Sequence, residues 1–83
     1  MDVKVLGTGC PKCKKLFAEA ERAVVASGVP ASLTKVETID EIMKFGVMAT
    51  PALVIDDEVK CSGRIPPVAE IVAWLTTAAA KNW

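Results

Sequence analysis

The sequence predicts an α/β fold: a four-stranded mixed sheet flanked by helices, in the order β-α-β-α-β-β-α, with residues 1–83 as one domain. Three observations lead there. A short β-branched run, Met1 to Leu6, ends in Gly7-Thr8-Gly9 and gives way to a long segment with helical spacing. A continuously apolar run, Ala52 to Ile55, is followed by Asp56-Asp57 and an alternating stretch, the pattern of a hairpin whose first strand is covered on both faces. A last apolar stripe at helical spacing, introduced by Pro66-Pro67, completes the order.

Met1 to Leu6 is strand one, and the glycines after it allow a tight turn and close backbone approach. Pro11 suits the first position of helix one, because its missing N–H has no intrahelical partner there. Cys10 then falls at the N-cap and Cys13 in the first turn. The helix runs to about Ser27. Its buried face is Cys13, Leu16, Phe17, Ala20, Ala23 and Val24, its wet face Lys15, Glu19 and Arg22, and Gly28 and Pro30 stop it. Ala31 to Val36 is a more polar strand, expected at a sheet edge. The helical crossover makes strands one and two parallel.

Thr38-Ile39-Asp40-Glu41 has the form of a capping box, with Thr38 as N-cap and Glu41 reaching back. The short helix it opens should turn Ile39, Ile42 and Met43 inward and end at Gly46. Val47 to Pro51 is a loop. After strand three, Ala52 to Ile55, the segment Glu58 to Ser62 pairs back, with Val59 and Cys61 expected on one face, and Gly63 ends it. In the last helix Val68, Ile71, Val72, Leu75 and Ala79 form the stripe, Trp74 flanks it, and Lys81 suits the negative end of the dipole.

Composition narrows the function. The chain is 52% hydrophobic, enough for one core, and its ten basic and ten acidic residues cancel. No basic field is expected to hold nucleic acid or an anionic membrane, and no apolar run is long enough to span a bilayer. The N-terminus has no basic segment followed by an apolar one, so a cytoplasmic location is expected. Histidine is absent, which removes imidazole acid–base catalysis, Cys–His nucleophile pairs and mixed Cys/His zinc sites. Three cysteines are too few for a disulfide scaffold.

What remains is cysteine chemistry, centred on Cys10-Pro11-Lys12-Cys13. A C-x-x-C at a strand-to-helix turn serves either thiol–disulfide exchange or metal transfer. Small metal chaperones also carry C-x-x-C after a first strand, but their order ends in a strand, and two thiols fall short of the four ligands of a structural zinc site. Cys10 lies where the first helical N–H groups point, a position that favours its thiolate, the attacking species in exchange. Cys13, one turn in and on the Leu16/Phe17 face, is the more shielded thiol. Lys12 reads equally as thiolate tuning or as part of a solvated basic face, and Lys14 and Lys15 read as solvated face. Cys61 reads as a small buried hydrophobe beside Val59, Met43 and Met48 as packing, and Trp83 as a loose terminus.

With these motifs in hand, the chain resembles the thioredoxin superfamily, and within it the short thioredoxin-like or glutaredoxin-like redox-active disulfide proteins. Gly7-Thr8-Gly9-Cys10-Pro11-Lys12-Cys13 and Val47-Met48-Ala49-Thr50-Pro51 carry the resemblance, with Gly63-Arg64-Ile65-Pro66 leading into the last helix. It implies a minimal thioredoxin-like fold and a dithiol/disulfide oxidoreductase with a Cys10–Cys13 redox pair. Cys10 would attack and Cys13 resolve, Gly9, Pro11, Lys12, Thr50 and Pro51 would shape the site, and the Thr50–Pro51 bond would be cis. It implies no cofactor and no metal, a monomer, disulfide-containing protein substrates and an electron donor of the thioredoxin-reductase type. The sequence departs from the pattern where Gly9 replaces the usual tryptophan and Pro11-Lys12 stand between the cysteines. Strand one offers only Asp2 as the acid that assists proton transfer in many members.

Overall fold

The computed structural model describes residues 1–9, 11–47 and 49–81, the last without its side chain. Expectations for Cys10, Met48, Trp83 and the Lys81 side chain lie outside the described residues. The elements are β1 (Asp2–Leu6), α1 (Pro11–Ser27), β2 (Ser32–Val36), α2 (Ile39–Met43), β3 (Ala52–Ile55), β4 (Glu58–Ser62) and α3 (Val68–Lys81). Among the described residues the strands form one four-stranded sheet in the order β2-β1-β3-β4. β1 runs parallel to β2 and antiparallel to β3, and β3 is antiparallel to β4. The sheet is mixed, as expected, and the polar strand β2 lies at its edge.

The central strand β3 has no wet face, and β1 is wet only at Asp2 and Lys4. All four residues of β3 are buried, and alternate side chains enter two separate cores. Val3, Val5, Leu53 and Ile55 join Leu16, Ala20 and Ala23 of α1 and Ile71 and Leu75 of α3. On the opposite face Leu6, Ala52 and Val54 meet Ile42, with Val36, Phe45 and Val47 packed around them. The helical stripes thus reproduce the sequence periodicity, with Cys13 and Leu16 in α1 and Ile71 and Leu75 in α3 fully or almost fully buried. Trp74 is part-buried against the first core, and the Arg64 guanidinium lies 6.0 Å from its ring centroid.

Three expectations are corrected. First, α2 is only five residues long and buries Ile42 alone; Ile39 and Met43 are 63% and 67% exposed. A helix of little more than one turn presents one position to the sheet, and the loop residues Phe45 and Val47 complete the cover. Second, the capping box does not form. Thr38 has extended backbone geometry but makes no side-chain cap bond, and Glu41 pairs with Lys44 at 3.3 Å. Third, Val59 and Cys61 lie on opposite faces. Leu53 pairs with Cys61 but Val54 pairs with Val59, so the register slips by one between them and Lys60 is the extra residue of a β-bulge. A bulge inverts the alternation beyond it. Cys61 therefore enters the α1/α3 core, while Val59 stays 38% exposed on the side that the short α2 leaves thinly covered.

The hairpin turn is a tight one. Asp56 and Asp57 both have positive φ, 49° and 65°, the primed geometry that matches strand twist. Asp56 also ties the turn to β1: its N–H donates to the Asp2 carbonyl at 2.8 Å, and its carboxylate accepts from the Asp2 N–H at 2.9 Å.

These burial patterns predict a sharp contrast in urea unfolding. Leu53→Ala should cost about 2–5 kcal/mol, the range for a large-to-small change in a rigid core. Ile39→Ala, at a largely exposed helical position, should stay within about 0.5 kcal/mol of the parent protein.

Candidate functional site

The sheet registers bring four segments to one end of the molecule. Leu6 is level with Val36 of β2 and with Ala52 of β3, and Ala52 is level with Ser62 of β4. The loops leaving β1, β2 and β4 therefore lie beside the loop that enters β3. Gly7 N–H donates to the Val36 carbonyl at 2.9 Å, extending the ladder one residue beyond β1. Gly63 N–H donates to the Pro51 carbonyl at 2.8 Å. The first turn of α1 begins at this same end, because only two glycines, Thr8 and Cys10 separate β1 from Pro11.

Gly7 and Gly9 serve different needs. A Cβ on Gly7 would overlap the Sγ of Cys13 and lie 2.9 Å from its Cβ. Gly7 is thus the space into which the Cys13 side chain packs. A Cβ on Gly9 would meet no more than an ordinary contact with Glu37, but Gly9 has a φ of +89°, a conformation that costs other residues. Cys13 is buried at 5% exposure and is disulfide-bonded. Pro11 and Lys12 are exposed on the first turn of α1, as is Thr50 on the loop. Pro51 is fully buried, and the Thr50–Pro51 peptide is cis, as the resemblance implies. Cys10 lies outside the described residues.

Asp2 takes no part. It is exposed and sits at the opposite end of β1, bonded to the hairpin turn. Among the described residues no polar or charged side chain is buried. The ionic side chains at the site come instead from the first turns of α1, from β2 and from the residue after it. A cavity of about 70 Å³, with room for water but not for a sizeable ligand, is lined by Val5, Gly7, Gly9, Cys13, Lys14, Lys35 and Glu37. The Lys35 ammonium lies 4.6 Å from the Phe17 ring centroid, and a Glu37 carboxylate oxygen is 3.8 Å from where a Gly9 Cβ would stand. Sequence reasoning missed both residues. The available signal was topological: β2 is parallel to β1, so its C-terminal end must arrive beside the glycine turn.

This arrangement, a buried cysteine in the first turn of α1 at the end of a β2-β1-β3-β4 sheet that also carries a cis-proline at the entry to β3, has relatives. The thioredoxin domain matches residues 1–76. The chain belongs to the thioredoxin family. It is 38% identical over 69 residues to a thioredoxin of Methanocaldococcus jannaschii, covering 83% of this chain and 79% of that one. It is 37% identical over 71 residues to a thioredoxin of Methanothermobacter thermautotrophicus, covering 86% of this chain and 92% of that one. A redox role of the thiol–disulfide oxidoreductase type comes with membership of this family.

Cys61 is not in this cluster. It is a free thiol, buried among the α1/α3 core residues rather than beside Val59. Burial pushes its pKa up, offset in part by a hydrogen bond with the Leu53 backbone and by the Arg64 charge. Arg64 itself is held by Glu70 in a forked pair, with Nη2 donating at 2.6 Å and Nη1 at 3.2 Å. That pair ties the exit of β4 to the first turn of α3.

Both cysteines give measurable consequences. Gly7→Ala should destabilise the oxidised protein by about 1–3 kcal/mol through overpacking against Cys13; the check is urea unfolding with the disulfide intact. For Cys61, a thiol whose folded pKa is raised contributes stability that is complete below the ordinary thiol pKa and lost as pH rises through the folded value. Urea midpoints measured from about pH 7 to about pH 10 should therefore fall more steeply for the parent than for Cys61→Ala.

Proposed function

We propose that the protein exchanges disulfides with protein substrates through Cys10 and Cys13. The Cys10 thiolate attacks one sulfur of a partner disulfide, forming a mixed disulfide and releasing the partner's other sulfur as a thiolate, which takes a proton from water. Cys13 then gives up its proton and attacks the Cys10 sulfur. The Cys10–Cys13 disulfide forms, and the partner leaves with two thiols and the two electrons the dithiol has lost. Run backwards, the same steps oxidise a partner. An electron donor of the thioredoxin-reductase type would restore the dithiol, and the cytoplasm is the compartment we propose for it.

The observation that carries this reading is the state of the cysteines. Cys13 is disulfide-bonded and buried in the first turn of α1, whereas Cys61 is a free thiol in the core. Cys13, packed into the space of Gly7, suits the resolving role, because its shielding leaves the first attack to the other thiol. Thr50, exposed before cis-Pro51, would offer its backbone to the bound chain, and Gly9, Pro11 and Lys12 would shape the approach.

The two cysteines should fail differently. Cys10→Ser should lower the rate of disulfide reduction by more than ~100-fold, as loss of a nucleophile does. Cys13→Ser should still attack and then stall, accumulating a mixed disulfide with substrate that mass spectrometry detects and dithiothreitol releases. A Cys10→Ser protein that reduces a protein disulfide at the parent rate would refute the assignment.

A further inference from the structure

The distribution of ion pairs over this molecule is uneven. Lys4 pairs with Asp57, Arg22 with Glu19, Lys44 with Glu41, Lys60 with Glu58 and Arg64 with Glu70, at 2.6 to 3.7 Å. Among the described side chains, the basic residues with no acidic partner are Lys12, Lys14, Lys15 and Lys35. All four are exposed and all four lie at the dithiol end. Lys14 and Lys35 rim the cavity that Cys13 lines, and Lys15 borders a second groove, between α1 and the Ile65-Pro66-Pro67 approach to α3, where the carboxylate is Glu19, already paired with Arg22. Lys35 lies instead over the Phe17 ring.

Helix energetics make this placement costly. The first turn of α1 holds no acid and its last turn no base, the reverse of what the macrodipole favours. Each lysine near the positive end costs a few tenths of a kcal/mol by the usual scale for exposed charges. Among the described side chains, the lysines without an acidic partner thus lie with the positive end of α1 on the surface around Cys13. Glu37 is the carboxylate at that cavity.

We infer that this end of the molecule recognises protein partners whose disulfide is flanked by acidic residues, with Lys12, Lys14, Lys15 and Lys35 supplying the complementary charge. The inference builds on the disulfide-exchange reading, which requires a polypeptide to lie across this surface. Nucleic acid fits less well. It needs a basic footprint along several phosphates, whereas this chain is neutral overall and its unpaired lysines are confined to one end. Exposed charges act here chiefly on encounter: they raise the association rate at low salt and fade as the Debye length falls from about 30 Å at 0.01 M to about 3 Å at 1 M.

The test uses the full chain and three disulfide-bridged peptides of one length, differing only in flanks of Asp/Glu, Ser/Gln or Lys. At about 20 mM ionic strength the reduced protein should reduce the acidic peptide roughly tenfold faster than the lysine peptide. At about 500 mM the ratio should shrink below roughly threefold. In Lys14→Glu/Lys35→Glu the order should invert, a change of ratio that partial unfolding cannot produce. The same peptides with both cysteines replaced by serine give a readout free of redox chemistry, and the acidic one should bind most tightly. If all three peptides are reduced at equal rates at low salt, or the double variant keeps the parent's order, acidic recognition is wrong while disulfide exchange stands. If none is reduced yet the acidic serine peptide still binds selectively, the surface is as inferred and the exchange reading fails. Tighter binding of a short mixed-sequence DNA duplex than of the acidic peptide at equal salt would overturn the choice of partner.

Discussion

The antiparallel pairing of β1 with β3 is the interaction on which the structure depends. Val3, Val5, Leu53 and Ile55 face one core, and Leu6, Ala52 and Val54 face the other, so every helix packs against side chains that this pair supplies. Backbone groups so buried must be hydrogen-bonded, and the ladder does that for both strands at once. The register is consequently hard to shift, since a slip of one residue would exchange the contents of the two cores. It is also the register that sets Gly7 close to Pro51, through Leu6 opposite Ala52.

Fold and site meet in the contact between Gly7 and Cys13. Helix α1 needs its N-terminal turn close to the end of β1 if Leu16 and Ala20 are to reach the sheet, and Cys13 is the residue of that turn which points inward. Only a residue without a side chain leaves room for its sulfur. Burial of this cysteine is thus a by-product of packing the helix, and so is its shielding from solvent. The same docking leaves Lys12, Lys14 and Lys15 on the outer side of the turn, where they are solvated but stand at the unfavourable end of the helix dipole.

Long periodic segments were legible in the sequence: α1 begins and ends where the pattern predicts, and all of β3 is buried as its unbroken apolar run requires. The family's cis-proline was legible only through resemblance, because an X–Pro bond by itself favours trans. Errors fell where local pattern met a tertiary decision. Thr38 to Met43 had the residues of a capped amphipathic helix, but the sheet end offers room to bury Ile42 alone. Val59 and Cys61 had the spacing of one strand face, and a bulge at Lys60 separated them.

By itself, the sequence determined the element order, the buried stripes of α1 and α3, the double burial of β3 and the position of the dithiol at a strand-to-helix turn, because each is encoded in spacing over a few neighbouring residues. Tertiary structure alone decided that Gly7 makes room for Cys13, that Cys61 enters the α1/α3 core, and that Lys35 and Glu37 stand at the cavity Cys13 lines. Those outcomes depend on which strands pair and in what register, and that choice is made by burial summed over the whole chain rather than by any local run of residues.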